Sequence, residues 1–172
     1  MEFVKGPDNS RQEKLTRLIM QHEKELLRMC CVYLGDVVLA EDAVQETFLK
    51  AYKKMDGFRG ECSEKTWLIR IALNVCKDMR GTSWFRFVNR NVDFERLEMP
   101  VQFVPEDQLA LTEAIMKLPH KYREVVYLYY DEGLKLREIA DILHLSASSV
   151  SRRLEKAKDR LKEILEGGMD DE

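Results

Sequence analysis

A concentration of basic residues near the carboxyl end of the chain is its most informative chemical feature. Between Ala147 and Lys162, six lysines and arginines stand against Glu155 and Asp159, which gives a local net charge of +4 in a chain whose formal net charge is −3. The apolar residues of this segment recur at helical spacing: Val150, Leu154, Ala157 and Leu161. Because phosphate contacts dominate DNA affinity, we predict a helix with one core face and one face suited to DNA.

The residues before this helix predict a partner helix and a tight turn. The partner has an apolar side made of Leu136, Ile139, Ala140 and Leu143. His144 stands where such turns require a positive φ, a region that histidine tolerates better than most residues. Ser146 is a good N-cap for the second helix. The combination is typical of a helix-turn-helix. An ordinary amphipathic surface helix would explain the charges, but neither the turn nor the cap.

A predicted helix from about Leu39 to Met55 carries an acidic face. Ala43, Val44, Phe48, Ala51 and Met55 line one side of it. A different face brings together, at helical spacing, Asp42, Gln45, Glu46 and Leu49. An acidic face with a single leucine is suited to docking on a basic protein surface. Taken alone, the pattern favours an ordinary solvated face over a docking face.

A short polar loop follows the acidic helix. Gly60 permits a sharp turn, and Ser63 can cap the next helix. A loop with Phe58 at its base and no bulky residues has room for a flat group such as an unstacked base. A plain connection between two helices is the alternative.

The next predicted helix runs from about Glu64 to Arg80. Its core side contains Trp67, Leu68, Ile71, Ala72, Val75 and Met79. Another side collects the polar residues Arg70, Asn74, Lys77 and Arg80. Asparagine offers both a donor and an acceptor and can read a base edge. Surface cations with a locally bonded asparagine are the alternative.

Composition and patterning predict an all-α protein of two small helical domains. Glycine and proline are scarce, at 8 and 4 of 172 residues, which favours helices over a turn-rich β fold. Helical patterns occupy residues 12–82 and 107–167, and the intervening residues 83–106 lack a helical period and are predicted to be a linker. The carboxyl-terminal domain would contain the helix-turn-helix.

Other classes of site find no support in the sequence. The four cysteines, Cys30, Cys31, Cys62 and Cys76, lack paired metal-binding spacing and are expected to be thiols in a reducing compartment. We expect no metal, no cofactor and no catalytic residue, because the chain has neither a phosphate-binding glycine loop nor a nucleophile–base pair. No apolar run is long enough to insert in a membrane.

Together these motifs resemble one family, the extracytoplasmic-function (ECF) sigma factors of bacterial RNA polymerase. Residues 40–80, from AEDAVQETF through the F-R-G loop to NVCKDMR, resemble the promoter-melting domain of that family. Residues 111–161, including LPHKYR and LREIADILHLSASSVSRRLEKAKDRL, resemble its carboxyl-terminal domain. Two motif sets in the right order, with a linker of suitable size between them, make the resemblance specific.

The resemblance implies three groups of binding residues. Binding to the clamp helices of the largest polymerase subunit would use the D-x-x-Q-E pattern and its neighbours Asp42, Gln45, Glu46, Phe48 and Leu49. Capture of a flipped base and contacts to the −10 element would use Phe58, Gly60, Ser63, Lys65, Arg70, Asn74, Lys77 and Arg80. Binding to the −35 element would use Arg123, Ser148, Ser149, Ser151, Arg152, Arg153, Glu155, Lys156 and Lys158. The three serines depart from the usual family pattern, so the docking mode is implied more strongly than the sequence preference.

The resemblance also implies partners and a location. The chain would act in the cytoplasm with core RNA polymerase and promoter DNA. An inhibitory anti-sigma factor, in many family members anchored in the membrane, would hold it inactive. The alternative is a stand-alone helix-turn-helix regulator that binds an operator as a dimer. That alternative leaves the acidic helix and the F-R-G loop without a role.

Overall fold

The computed structural model describes residues 7–81 and 109–167. In this part of the chain all regular secondary structure is helical, which confirms the all-α prediction. The helices are α1 (Pro7–Leu34), α2 (Val37–Lys54), α3 (Glu64–Gly81), α4 (Leu109–Lys117), α5 (His120–Val126), α6 (Leu136–Leu143) and α7 (Ala147–Gly167). The predicted linker, residues 83–106, lies outside the described residues, and the domain boundaries remain a prediction.

The first three helices pack against one another around an apolar core. Gly35, at φ 70°, ends α1 in the left-handed conformation that glycine adopts without strain. The Asp36 carboxylate then caps α2, accepting the Leu39 backbone N–H at 2.9 Å. This tight turn allows α2 to fold back along α1. The buried thiols of Cys30 and Cys76 meet in the core with their sulfurs 3.6 Å apart.

A short irregular loop connects α2 to α3. A 3₁₀ turn, Met55–Gly57, continues from α2, and Gly60 adopts a positive φ of 73°. The hydroxyl of Ser63 accepts the Thr66 backbone N–H at 3.0 Å, which confirms the predicted cap. Gly60 and the capping Ser63 therefore shape the loop locally.

The carboxyl-terminal helices form a second unit in which α7 packs on α4, α5 and α6. A π-helical segment, Tyr127–Asp131, extends α5 before the chain turns. The predicted turn is confirmed: His144 has φ 55° and ψ 46°, and the Ser146 hydroxyl accepts the Ser149 backbone N–H at 3.2 Å. The α6–turn–α7 unit is therefore a helix-turn-helix.

The two units contact each other along α1 and α5. The Tyr33 and His120 rings meet edge to face with centroids 4.3 Å apart. Arg28 Nη2 forms an ion pair with Asp131 Oδ2 at 2.8 Å. The contact between the domains thus combines aromatic packing with charged pairs.

Replacing His144 with glycine tests the strain at the turn. A side chain in the left-handed region costs about 1–2 kcal/mol relative to glycine, and the greater freedom of glycine in the unfolded chain offsets about 0.4–1 kcal/mol of this. We therefore expect His144→Gly to raise the free energy of unfolding by roughly 0.5–1 kcal/mol in urea titrations. His144→Val should lower it, because a β-branched residue tolerates this region poorly. Equal stability of all three proteins would contradict the assignment of strain.

Candidate nucleic-acid interface

The predicted DNA-reading face lies on the solvent side of α7. Val150, Leu154 and Ala157 are buried against the domain. The opposite side exposes most of the predicted −35 residues: Ser148, Arg152, Glu155, Lys156 and Lys158. Ser149 and Ser151 are half-buried at its margin. Because the apolar side of α7 packs on the core, its opposite side presents a polar and basic surface to solvent.

Arg153 is placed differently from its neighbour Arg152. Its Nη1 lies 3.2 Å from Glu124 Oε1, and its side chain is half-buried. This ion pair connects α7 to α5. Burial raises the pKa of the Glu124 carboxyl, an effect that the Arg153 charge opposes. In this arrangement Arg153 stabilises the position of α7 on the domain.

Arg123 lies between the two domains, apart from the other predicted −35 residues. Its side chain is 6% exposed, and Nη1 donates to the Val32 carbonyl oxygen at 3.2 Å. Burial lowers the pKa of the guanidinium to about 10, and the Arg80 charge adds to this effect. The group remains charged at neutral pH and is engaged by α1.

The acidic helix α2 presents the predicted partner-binding residues as a stripe. Asp42 and Gln45 are exposed, and Leu49 has 56% of its surface exposed. Val38, one turn before Asp42, is 67% exposed and extends the stripe with a second apolar side chain. Glu46 lies at its edge, 3.8 Å from Lys50. Phe48, predicted as part of this set, is buried in the core.

The loop before α3 has an aromatic floor. The Phe58 ring stacks on the Trp67 ring with centroids 4.8 Å apart and an interplanar angle of 30°. Gly60 has open space where a side chain would project. Farther along α3, Asn74 is exposed and Arg70 half-buried. The stacked Phe58 and Trp67 rings thus form a flat apolar platform, and α3 carries polar groups farther along its length.

Two predicted −10 cations contact the carboxyl-terminal domain. Lys65 Nζ lies 2.9 Å from Glu132 Oε2 and 3.3 Å from Glu25 Oε2. Lys77 Nζ donates to the Ile142 carbonyl oxygen at 3.4 Å. A third cation, Arg80, lies over the Tyr33 ring at 5.5 Å. A carboxylate and a carbonyl of the other domain therefore occupy positions at Lys65 and Lys77 that DNA phosphates would need.

The sequence did not reveal the acidic partners of these cations. No role was predicted for Asp131 and Glu132, which pair with Arg28 and Lys65 in the other domain. No sequence period connects residues that lie 103 and 67 positions apart in the chain. Val38, in contrast, was detectable, because it falls one helical turn before Asp42 on the same face.

The described residues contain no cluster of three or more potential metal ligands. Over residues 7–81 and 109–167, none of the helices has the length and apolar character that crossing a membrane requires.

Comparisons with known proteins agree with this architecture. The Sigma-70 region 2 family matches residues 18–86, and the Sigma-70 region 4 family matches residues 108–161. The ECF RNA polymerase sigma factor SigW of Bacillus subtilis is 31% identical over 176 residues, covering 94% of each chain. The ECF RNA polymerase sigma-E factor of Escherichia coli is 29% identical, covering 87% of this chain and 85% of that protein.

Two solved structures share the fold. The sigma factor RpoE of Bartonella quintana, in complex with the anti-sigma factor NepR, aligns with a TM-score of 0.72 at 24% identity, covering 90% of this chain and 98% of that one. CnrH, in complex with the cytosolic domain of CnrY, aligns with a TM-score of 0.65 at 25% identity, covering 91% and 90%.

The two matched regions and the two-domain helical fold define a sigma-70-type transcription initiation factor. Within that class, the chain belongs to the ECF sigma factors of bacterial RNA polymerase.

His120, at the contact between the domains, makes stability depend on pH. Burial lowers its pKa to about 3, with a further contribution from the Arg80 charge. The unfolded chain binds a proton near pH 6.5 and the folded chain does not, so folding loses stability as the pH falls below 6.5. Between pH 7.5 and 5.5 this amounts to roughly 1.4 kcal/mol.

The variant His120→Phe isolates this contribution. It keeps a ring against Tyr33 and leaves in place Glu124, whose titration affects both proteins. We expect the free energy of unfolding in urea to fall by about 1 kcal/mol more in the unmodified protein than in the variant between these two pH values. The same pH dependence in both would show that His120 titrates normally.

Proposed function

We propose that this ECF sigma factor divides promoter recognition among three of its surfaces. The α2 stripe binds the clamp helices of core polymerase, the loop between α2 and α3 captures a base of the −10 element, and α7 reads the −35 element. The observation that carries the proposal is the stacking of Phe58 on Trp67 across a loop that has open space at Gly60, in the segment that follows the exposed α2 stripe.

The loop supplies an energetic route to strand opening without hydrolysis. Extruding a base costs a few kcal/mol of stacking and pairing energy. Stacking on an aromatic platform recovers about 1–3 kcal/mol per base. Asn74 supplies a donor and an acceptor on the adjacent helix, where it selects among bases. Arg70, Lys77 and Arg80 then contact the backbone of the duplex upstream.

Recognition of the −35 element uses the solvent side of α7. Arg152 and Glu155 point away from the core and are the side chains best suited to base edges, because arginine pairs with guanine and glutamate accepts from cytosine. Lys156 and Lys158 supply phosphate contacts that set the register of the helix.

An anti-sigma factor is the proposed regulatory partner. RpoE and CnrH, which share this fold, were solved in complexes with NepR and with the cytosolic domain of CnrY. We propose that such a protein covers the α2 stripe and keeps the two domains together. Anchoring of the inhibitor would hold the chain at the cytoplasmic face of the membrane.

A stand-alone operator-binding regulator is disfavoured. It would use α7 but would give no role to the exposed Val38–Leu49 stripe or to the platform loop. It would also require a dimer interface, because one helix-turn-helix gives modest affinity. The matches to both sigma-70 regions favour the polymerase subunit.

Run-off transcription tests the proposal. Core polymerase, a pool of randomised promoter fragments and this protein should together yield transcripts that share two sequence elements. Asp42→Arg combined with Gln45→Ala should abolish them, because the change reverses charge at the centre of the α2 stripe. Circular dichroism checks that the variant folds.

Glu23→Arg is the matched control, since Glu23 is an exposed acid on α1 outside the stripe. It should leave transcription unchanged. The contrary result is tight binding of the protein alone to specific fragments, with no transcripts when polymerase is present. It would contradict the proposal and support the independent regulator.

Salt dependence tests the proposed phosphate contacts of α7. Binding of the holoenzyme to a selected promoter is measured from 50 to 200 mM salt. Removing one phosphate contact with Lys156→Ala should reduce the slope of log affinity against log salt by about 0.9. Lys117→Ala, at an exposed lysine on α4, should leave the slope unaltered. An unchanged slope for both variants would place Lys156 away from DNA.

A further inference from the structure

Three cations on α1 face the loop that carries the proposed base pocket. Arg11, Lys14 and Arg17 recur every three residues, so they lie along one side of the helix. None belongs to the predicted DNA-binding set. Each makes a different contact with the segment Met55–Glu64 or with the helix turn before it.

Arg11 holds the beginning of the loop. Its Nη2 donates to the Tyr52 carbonyl oxygen at 2.8 Å, in the last turn of α2. Its Nε lies 3.5 Å from Asp56 Oδ1, and its guanidinium covers the Tyr52 ring at 4.7 Å. A planar guanidinium is suited to such combined stacking and bonding. The end of α2 and the 3₁₀ turn are therefore attached to α1.

Arg17 holds the end of the loop. Its Nη1 and Nη2 each donate to one carboxylate oxygen of Glu64, both at 2.8 Å. Such a two-pronged pair fixes geometry as well as distance. The Arg17 hydrogen bond holds the pKa of the Glu64 carboxyl below its usual range. Glu64 is the first residue of α3, so the pair attaches the first turn of that helix to α1.

Lys14 lies between these two attachments. Its Nζ is 5.7 Å from the centroid of the Phe58 ring and 3.9 Å from Glu64 Oε1. Phe58 in turn stacks on Trp67. The lysine thus contacts both the aromatic floor and the carboxylate that closes the loop.

We propose that three cations of α1 position the Met55–Glu64 loop for capture of the flipped −10 base. They are Arg11, Lys14 and Arg17. The inference rests on the proposed function of the loop. These are positioning residues: they order the backbone around the platform and make no contact with the base. An ordered loop avoids the entropic cost of folding around its ligand, so binding is stronger.

The test measures binding of a single-stranded probe to the holoenzyme by fluorescence anisotropy. The probe is the non-template strand of a promoter selected by run-off transcription. We expect Arg17→Ala to weaken binding about fivefold, and Arg17→Lys, which keeps the charge but loses the fork, to weaken it less. Lys24→Ala, at an exposed cation elsewhere on α1, should leave affinity unchanged.

A second probe separates loop positioning from a general loss of structure. It carries an abasic site at the position of the captured base. The unmodified holoenzyme should bind it weakly, and Arg17→Ala should cause no further loss. An equal fivefold loss on both probes would overturn the proposal, because the defect would then be independent of base capture.

A third arm separates positioning from direct phosphate contact. Glu64→Gln removes the negative charge that pairs with Arg17 and Lys14. Positioning predicts weaker binding of the intact probe. Stronger binding would overturn the proposal and assign the cations to the DNA backbone. Failure to obtain any polymerase-dependent promoter would reject the proposed function itself, an outcome distinct from either of these.

Discussion

Burial of the apolar side of α1 is the constraint on which the rest of the structure depends. Leu18, Leu26 and Met29 are almost fully buried, and α1 packs against α2, α3 and α5. A helix gains most of its stability from such packing and little from propensity. One helix therefore supports both domains. Its polar side contacts the loop before α3, and its carboxyl-terminal end packs on the second domain.

The charges at the contact between the domains connect the fold to function. Lys65 and Lys77, predicted to face DNA, bond instead to Glu132 and the Ile142 carbonyl in this arrangement. The same charge that suits a cation to phosphate suits it to a carboxylate. If these two side chains bind the −10 backbone as predicted, they must first leave their partners in the other domain.

Features set by neighbouring residues were predictable from the sequence, whereas long-range contacts were not. Ser63, His144 and Ser146 act within three residues of themselves, and the structure confirms the two caps and the left-handed turn. Periodicity likewise predicted α2, α3 and the helix-turn-helix. The burial of Arg123 and the Arg17–Glu64 pair arise from packing between distant segments, which no local pattern encodes. The family resemblance implied a −35 contact for Arg153, whereas its pairing with Glu124 depends on where α5 lies.

Permanganate reactivity of a selected promoter tests the central claim most directly, because the reagent oxidises unpaired thymines. With core polymerase and this protein together, thymines of the non-template strand within the −10 element should become reactive, and neither component alone should expose them. Replacing Phe58 with alanine, which removes the platform, should restore the protected duplex while polymerase binding persists. A duplex that stays closed under all conditions, although the protein binds it specifically, would contradict the account.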